Sequence, residues 1–355
     1  MSFKYMSLML AAAAAHPSIT IKENGKPKTL YAVGPDWYSP KGGDRMEIPH
    51  GGRSYLATSD SLGPDNFYGV NLLGGSISYD VDLSQSGCSC NAALYLISMP
   101  GKDWNGNPSG GEGGDYYCDA NMVNGQWCPE FDIMEANTYA WHSTPHKCDS
   151  PNDKGHYSNC DRGGNCFQVA HQKLNGIYGP GNQYPINTQK EFHVKFSVDT
   201  DGNFKVEFTQ NGQTHSMASD GSCFGYLGMI KNDLANNMAL AISNWGTDWG
   251  TMSWLDQDTG CQGECNNNPM LVIKNIEYTS GSGPSPGPGP KPGPTDFDFG
   301  SECQTKSDDD CSLVNCKDHM CKWSWPRNDP AKWSSKDAKC RCQAHWMEQE
   351  DSILY

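Results

Sequence analysis

Charged side chains are scarce in this sequence, and basic ones are the scarcer kind. Of 355 residues, 19% are charged, and 26 Lys and Arg stand against 41 Asp and Glu, which gives a formal net charge of −15. Nucleic acids and anionic membranes repel a strongly acidic surface, so neither is expected as a partner. A neutral polymer fits this charge balance.

Long apolar runs are also missing. One short apolar run, residues 5–15, follows Lys4 and ends in alanines. This build predicts a signal peptide over residues 1–15, with a buried first strand as the alternative. No other run is long enough to cross a bilayer. We therefore expect a secreted, extracellular protein.

The close C-x-x-C pairs typical of zinc sites are absent as well. The nearest cysteine pairs have other spacings, as in CSC from Cys88 and CQGEC from Cys261. Sixteen cysteines in a chain with 39 Gly and 22 Pro predict disulfides formed in an oxidising compartment. Their pairing cannot be predicted from spacing. Nucleotide and flavin signatures are missing too, and neither a cofactor nor a metal is expected.

A Pro/Gly-rich stretch divides the chain. Residues 281–296 contain GSGPSPGPGPKPGP, which cannot form a core and predicts an extended linker. It separates a large domain, residues 16–280, from a module at residues 297–355 that holds six cysteines and four tryptophans. So short a module needs disulfides for stability. Its tryptophans either bind carbohydrate or pack around the disulfides.

The large domain shows the alternating pattern of β-strands, with turn residues between the runs, as in DTDG and QNGQ. Long helical periodicity is absent. The pattern predicts an all-β fold, a β-jelly roll or sandwich of two antiparallel sheets with a long concave cleft. The predicted strands cover residues 76–83, 93–99, 192–198, 203–209 and 238–243.

The segment EFDIMEAN, residues 130–137, contains three acids. Strand alternation puts Glu130 and Asp132 on one face and Glu135 on the other, unless a β-bulge adds one residue. With a bulge, all three acids share a face, and their like charges raise the pKa of one of them. Retaining glycoside hydrolysis uses such a pair: here Glu130 as nucleophile and Glu135 as acid/base, with Asp132 hydrogen-bonded to Glu130.

Two simpler interpretations of this segment remain open. A solvated acidic strand needs no chemistry, and three acids at this spacing are a weak motif by themselves. A calcium site also uses carboxylates, but calcium prefers loops rich in Asp, Asn and Gly over a strand with Phe, Ile and Met.

Several segments resemble glycoside hydrolase family 7, the fungal cellobiohydrolases and endoglucanases. EFDIMEAN is similar to the family's E-M-D-I-W-E-A-N, and TPHKC follows in register where the family has T-P-H-P-C. HPSIT, DVDLSQSGCSCNAALYLISM, YYCDA, IYGPG and ISNWGTDWGTMSWLD match further family segments in the same order. The resemblance covers nearly all of residues 16–280. It implies a β-jelly roll and retaining hydrolysis of β-1,4-glucosidic bonds.

The resemblance also implies roles for single residues. It marks Glu130 as nucleophile, Asp132 as its assisting acid and Glu135 as acid/base. A flat indole can pack on a glucose ring, which is the role implied for the tryptophans, with core packing as the alternative. The expected substrate-binding residues are His146, Trp245, Trp254, Asn91, Tyr95 and Trp37, of which Asn91 and Tyr95 are expected beside the nucleophile.

The sequence departs from the family pattern in places. Met134 stands where the family has Trp, and the domain is short. Missing loops predict an open cleft and internal cutting of a β-glucan. We also expect a monomer. A β-1,3- or mixed-linkage glucanase or transglycosylase of the related family 16 and a non-catalytic glycan-binding jelly roll stay as alternatives. A copper oxygenase using His16 as its N-terminal residue is the least supported one.

Overall fold

The structure is a computed structural model that describes residues 16–35, 43, 45–111, 114–281, 319–324 and 339–344. The chain separates into two compact units, Met1–Pro286 and Gly287–Tyr355. The predicted signal peptide and nearly all of the predicted linker lie outside the described residues. Within the described residues, no helix is both long and apolar enough to span a membrane.

The first unit is mostly β, as the alternating runs predict, and all five predicted runs form strands. Its short helices were not predicted: α1 (Ala170–Lys173), α2 (Phe224–Leu234) and α3 (Trp249–Asp256). The strands are β1 (Ser18–Glu23), β2 (Lys26–Val33), β3 (Arg45–Pro49), β4 (Gly52–Ala57), β5 (Gly69–Val70), β6 (Ser76–Asp82), β7 (Cys90–Ile97), β8 (Glu130–Ala136), β9 (Trp141–His146), β10 (Gln168–Val169), β11 (Tyr178–Gly179), β12 (Ile186–Asn187), β13 (Phe192–Val198), β14 (Phe204–Gln210), β15 (Gln213–Ala218), β16 (Met238–Gly246) and β17 (Met270–Thr279).

Fifteen of these strands form one hydrogen-bonded series in the order β10-β9-β8-β7-β16-β4-β2-β1-β17-β6-β13-β14-β15, with β3 on β17 and β5 on β16. The pairs are antiparallel except for β1 with β17, which is parallel. The described strands of this series therefore do not divide into the two separate antiparallel sheets expected from the sequence. Strand twist and bulges let one long sheet bend without losing its hydrogen bonds.

The sheet curves until its two ends face each other. Phe131 of β8 packs against Phe196 of β13 and Phe204 of β14, with ring centres 5.2 and 5.1 Å apart. Trp141 of β9 packs edge-on against Phe208 of β14 at 4.8 Å. These strands lie far apart in the hydrogen-bonded order, so their contacts show two facing layers with a shared apolar core.

The strands of the cleft side bury both of their faces. In β7, Leu94 and Leu96 join the core between the layers, while Tyr95 and Ile97 join a second apolar cluster on the opposite face. All eight residues of β7 are buried for this reason. This second cluster packs beneath the polar residues of the cleft.

Disulfides connect the loops around the sheet, as the cysteine content predicts. Two of them, Cys88–Cys261 and Cys90–Cys265, join the region where β7 begins to the segment that follows α3. Which cysteines pair became clear only in the fold. The pairs within the described residues are Cys88–Cys261, Cys90–Cys265, Cys118–Cys128, Cys148–Cys160 and Cys166–Cys223.

The second unit is described only as a two-stranded antiparallel ribbon. Strand β18 (His319–Ser324) pairs with β19 (Lys339–Ala344), and Cys321 lies opposite Cys342. The predicted carbohydrate-binding role of this module stays a prediction.

Removing the Trp141 side chain should cost about 3–5 kcal/mol of the free energy of unfolding, because the indole is fully buried between the layers. Urea unfolding of Trp141→Ala measures the loss. Trp104→Ala is the matched control, since Trp104 is 64% exposed and its removal should change stability by only about 0.5 kcal/mol. Equal losses in both variants would contradict the two-layer core.

Candidate active site

Strand β8 contains the bulge that the acidic segment predicts. Against β7, Leu94 and Tyr95 are consecutive, yet they pair with Met134 and Asp132, so Ile133 is the extra residue. The pairing with β9 shifts by one residue between Asp132 and Glu135 as well. The bulge restores Glu135 to the face of the two other acids.

The two faces of β8 have opposite chemistry. Phe131, Ile133 and Met134 all belong to the core between the layers. The acids Glu130, Asp132 and Glu135 line a cleft of ≈ 980 Å³ on the other face. Glu130 is 9% exposed and Asp132 is 5% exposed. The segment thus places three poorly hydrated carboxyl groups along one wall of a cavity.

Glu130 has a backbone partner and acidic neighbours. The Ala120 N–H donates a hydrogen bond of 3.0 Å to Glu130 Oε2, which favours the ionised form. Burial and the charges of Asp132 and Asp119 act in the other direction, and they raise the pKa of Glu130 well above its ordinary value. Asp119 is itself buried, and burial raises its pKa too.

Asp132 pairs with a histidine. His146 Nε2 lies 3.0 Å from Asp132 Oδ2, and His146 Nδ1 lies 2.9 Å from the Asp161 carbonyl oxygen. Burial alone would lower the pKa of His146, but the Asp132 carboxylate and the Asp161 carbonyl raise it to about 9. His146 is therefore an imidazolium at neutral pH. The sequence predicted a hydrogen bond between Asp132 and Glu130. In the structure the Asp132 carboxylate pairs with His146 instead.

Glu135 is set up to hold a proton. Burial and the charge of Asp132 raise its pKa to about 8, although the His146 charge and a hydrogen bond from Asn91 oppose the rise. Asn91 Nδ2 donates to Glu135 Oε1 at 3.0 Å. A carboxyl group with this pKa is protonated at neutral pH and can act as a general acid.

A metal ion does not suit this cluster. Glu130, Asp132 and His146 offer ligand atoms within 4.8 Å of one another. Both ring nitrogens of His146 are already engaged, and the raised pKa keeps both of them protonated at neutral pH. An imidazolium has no free lone pair for a metal.

Two tryptophans form an exposed aromatic surface in the cleft. Trp245 is 40% exposed and Trp254 is 38% exposed, although most large apolar side chains of the unit are buried. Their ring centres are 6.4 Å apart and their planes differ by 30°. Two neighbouring, partly exposed indoles offer a surface, the tryptophan platform, for flat, apolar ring faces.

The last residue of the acidic segment connects it to this platform. Asn137 Nδ2 donates to Asp256 Oδ1 at 2.7 Å and to the Cys90 carbonyl at 3.1 Å. Asp256 is the last residue of α3, and its other oxygen accepts from the Ser89 N–H. Because α3 contains Trp254, this buried network fixes the indole relative to Glu135.

The structure gives the positions of two other predicted substrate-binding residues, and their binding role stays a prediction. Tyr95 pairs with Asp132 across β7 and β8 and lines the cleft, whereas Ile97 is the residue of β7 opposite Glu130. Asn91 was expected beside Glu130, but its partner is Glu135, because β7 runs antiparallel to β8 and its first residues lie at the far end. Trp37 lies outside the described residues.

Sequence reasoning missed several residues of the cleft. Arg53 donates to Asp115 at 2.9 Å and lies over the Tyr117 ring at 3.6 Å, which braces the wall near Glu130. Asp119 is the acid of the YYCDA segment, and this acidic residue was the signal in the sequence that could have identified it. His142 and His171 line the cleft beside Trp254, and no spacing in the sequence brings them together.

Comparison with known proteins gives one family. The family model described as Glycosyl hydrolase family 7 matches residues 44–124, which end before the acidic strand. The chain is 30% identical over 262 residues to endoglucanase EG-1 of Hypocrea jecorina, covering 63% of this chain and 53% of that protein. It is 29% identical over 276 residues to endo-beta-1,4-glucanase celB of Aspergillus oryzae, covering 62% of this chain and 65% of the relative.

Solved structures share the fold. An endoglucanase I complexed with cellobiose superimposes with a TM-score of 0.61 at 20% identity, covering 77% of this chain and 99% of that one. A family 7 cellobiohydrolase from Daphnia pulex gives a TM-score of 0.59 at 19% identity, covering 77% and 99%. The chain spans 53% of the first curated relative, so the similarity concerns about half of that protein. The chain is homologous to the fungal endoglucanases and cellobiohydrolases of glycoside hydrolase family 7.

Proposed function

We propose that this protein is a secreted, retaining glycoside hydrolase that cleaves internal β-1,4-glucosidic bonds of cellulose or a related β-glucan. The observation that carries the proposal is the bulge in β8, which brings Glu130, Asp132 and Glu135 to one cleft. Retaining hydrolysis requires two carboxyl groups on the same cleft, one protonated and one able to attack. We further infer that the curved sandwich is of the jelly-roll type.

The first step uses both glutamates. Glu135 donates its proton to the glycosidic oxygen while Glu130 attacks the anomeric carbon, which forms a covalent glycosyl ester and releases the leaving sugar. The raised pKa of Glu135, about 8, keeps it protonated before the reaction. The Ala120 N–H favours the ionised Glu130 that attacks, and it opposes the burial and like charges that raise the pKa of Glu130.

The second step reverses these roles. Glu135, now ionised, removes a proton from water, and the water oxygen displaces Glu130 from the anomeric carbon. The sugar keeps its original configuration after two displacements. Asp132, held by His146, stays between the glutamates and contributes a negative charge that favours protonation of Glu135.

The substrate is proposed from the platform and the relatives. The exposed Trp245 and Trp254 suit the apolar faces of glucose rings. The relatives at about 30% identity bear the names endoglucanase and endo-beta-1,4-glucanase, and one fold neighbour is a complex with cellobiose. The disulfides suit an extracellular enzyme.

Replacing either glutamate by glutamine should reduce kcat/KM by at least about 10²–10⁴-fold, because each loses a group that reacts in the transition state. Release of reducing sugar from a soluble β-1,4-glucan measures the loss. Glu207→Gln is the control, since Glu207 pairs with Lys205 at the surface. Full activity in Glu130→Gln would end the proposal.

Azide distinguishes the two roles. With an activated aryl cellobioside, Glu130→Ala plus azide should give the α-glycosyl azide, because one displacement inverts the anomeric carbon. Glu135→Ala plus azide should give the β-azide through the covalent intermediate. The opposite assignment of products would exchange the two roles.

The pH dependence of kcat/KM follows from the raised pKa of Glu135 and the charge of His146. Because Glu135 must be protonated, kcat/KM should fall as the pH rises through about 8. The His146 charge lowers the pKa of Glu135, so His146→Gln should move this basic limb to higher pH. His193→Gln, at a surface pair with Asp80, should leave the limb in place. A limb that stays or falls in His146→Gln would contradict the assigned electrostatics.

Internal cutting has its own signature. Hydrolysis of hydroxyethylcellulose should lower the viscosity severalfold while few reducing ends have formed. Each internal cut shortens the chain greatly, whereas release from an end does not. A viscosity that falls only in proportion to released cellobiose would favour action at chain ends.

A further inference from the structure

Two histidines lie beside Glu135 and have no role in the proposed reaction. His142 of β9 is the cross-strand neighbour of Glu135. His171 of α1 follows two residues after Val169, which pairs with His142. Both side chains line the cleft, so sheet pairing holds them at the same end of it.

Each ring has one nitrogen engaged and the other without a partner among the described residues. His171 Nε2 lies 3.3 Å from Asp258 Oδ2, and His171 Nδ1 is buried without a hydrogen bond. His142 hydrogen-bonds the backbone at Leu255, and its Nε2 is buried without a hydrogen bond. Carboxylates and backbone carbonyls only accept, so the engaged nitrogens carry the protons. The two free nitrogens then present lone pairs.

This arrangement is typical of metal-binding histidines, which usually donate their second ring N–H to a carboxylate or a backbone carbonyl. The ring centres of His142 and His171 are 6.1 Å apart. A Zn–N bond of about 2.0–2.1 Å puts a ring centre roughly 3.2 Å from the ion, so two ligating rings have centres at most about 6.4 Å apart. The observed separation lies within that reach.

We propose that His142 and His171 bind one divalent transition-metal ion of the zinc or copper class, with Asp258 orienting His171. Water completes the coordination from the open cleft. Imidazole nitrogens suit these metals, whereas calcium and magnesium prefer oxygen ligands. The Asp258 carboxylate, which accepts a hydrogen bond from His171 Nε2, adds negative charge behind this ligand.

The free nitrogens of both rings are buried without a hydrogen bond among the described residues. A metal ion would give these nitrogens a partner, because imidazole binds metals through them.

The ion would share space with a sugar. The Trp254 ring packs edge-on against His142, with centres 6.0 Å apart. If Trp254 stacks a sugar, a bound ion interferes with it, and we expect Zn²⁺ to inhibit hydrolysis in competition with the glucan. This consequence, unlike metal binding itself, rests on the proposed function.

Titration calorimetry of the full chain with Zn²⁺ tests the site. One ion should bind to the wild-type protein, His171→Ala should bind it at least about tenfold more weakly, and Asp258→Asn should lose about 10–100-fold in affinity. Asp258 is largely exposed, so its variant should fold normally. His142→Ala should also lose binding, with near-UV circular dichroism as the check on its fold.

His193→Gln is the matched control, because it removes a histidine paired with a carboxylate at the surface. Its Zn²⁺ affinity should equal that of the wild-type protein. The proposal is overturned if the wild-type protein binds no Zn²⁺, or if His171→Ala and Asp258→Asn bind it unchanged. The wild-type protein could prove inactive on every β-glucan while these variants still lose Zn²⁺ binding. That result would refute the proposed hydrolase and retain the metal site.

Discussion

Without the extra residue in β8, Glu135 would point into the sandwich core beside Ile133. The bulge instead sends two consecutive apolar side chains, Ile133 and Met134, into the core and turns Glu135 toward Glu130 and Asp132. The apolar contacts of one face therefore hold the carboxyl groups of the other face in a fixed arrangement. The electrostatics of the cleft follow from this backbone feature, since like charges at close range raise one another's pKa.

The cleft combines buried acids with a cation that pairs with one of them. His146 pairs with Asp132, and its charge partly offsets the effect of burial on Glu135. Burial and mutual repulsion still dominate, and both glutamates keep raised pKa values. Around this centre, the buried network from Asn137 to Asp256 fixes the tryptophan platform. Chemistry and substrate contact are thus tied to the same strand.

Much of this could be predicted from local patterns. The alternating runs predicted the strands, the parity of EFDIMEAN predicted a bulge, and the cysteine content predicted disulfides. The sandwich was predicted, but the joining of its layers through one hydrogen-bonded series of described strands was not, because alternation says which face a residue occupies but not which strands share hydrogen bonds. Asn91 was expected beside Glu130 and lies on Glu135 instead, since strand direction sets which end of β7 meets which acid.

The sequence by itself determined the chemistry available on β8 and the need for a bulge, because side-chain alternation is a property of a few adjacent residues. Tertiary structure alone decided the partners. The Asp161 carbonyl that fixes His146 lies fifteen residues away in the chain, and Asp256 lies 119 residues from Asn137. The juxtaposition of His142 and His171 likewise exists only once β9 and β10 pair. Such contacts depend on how distant segments meet, which no local spacing encodes.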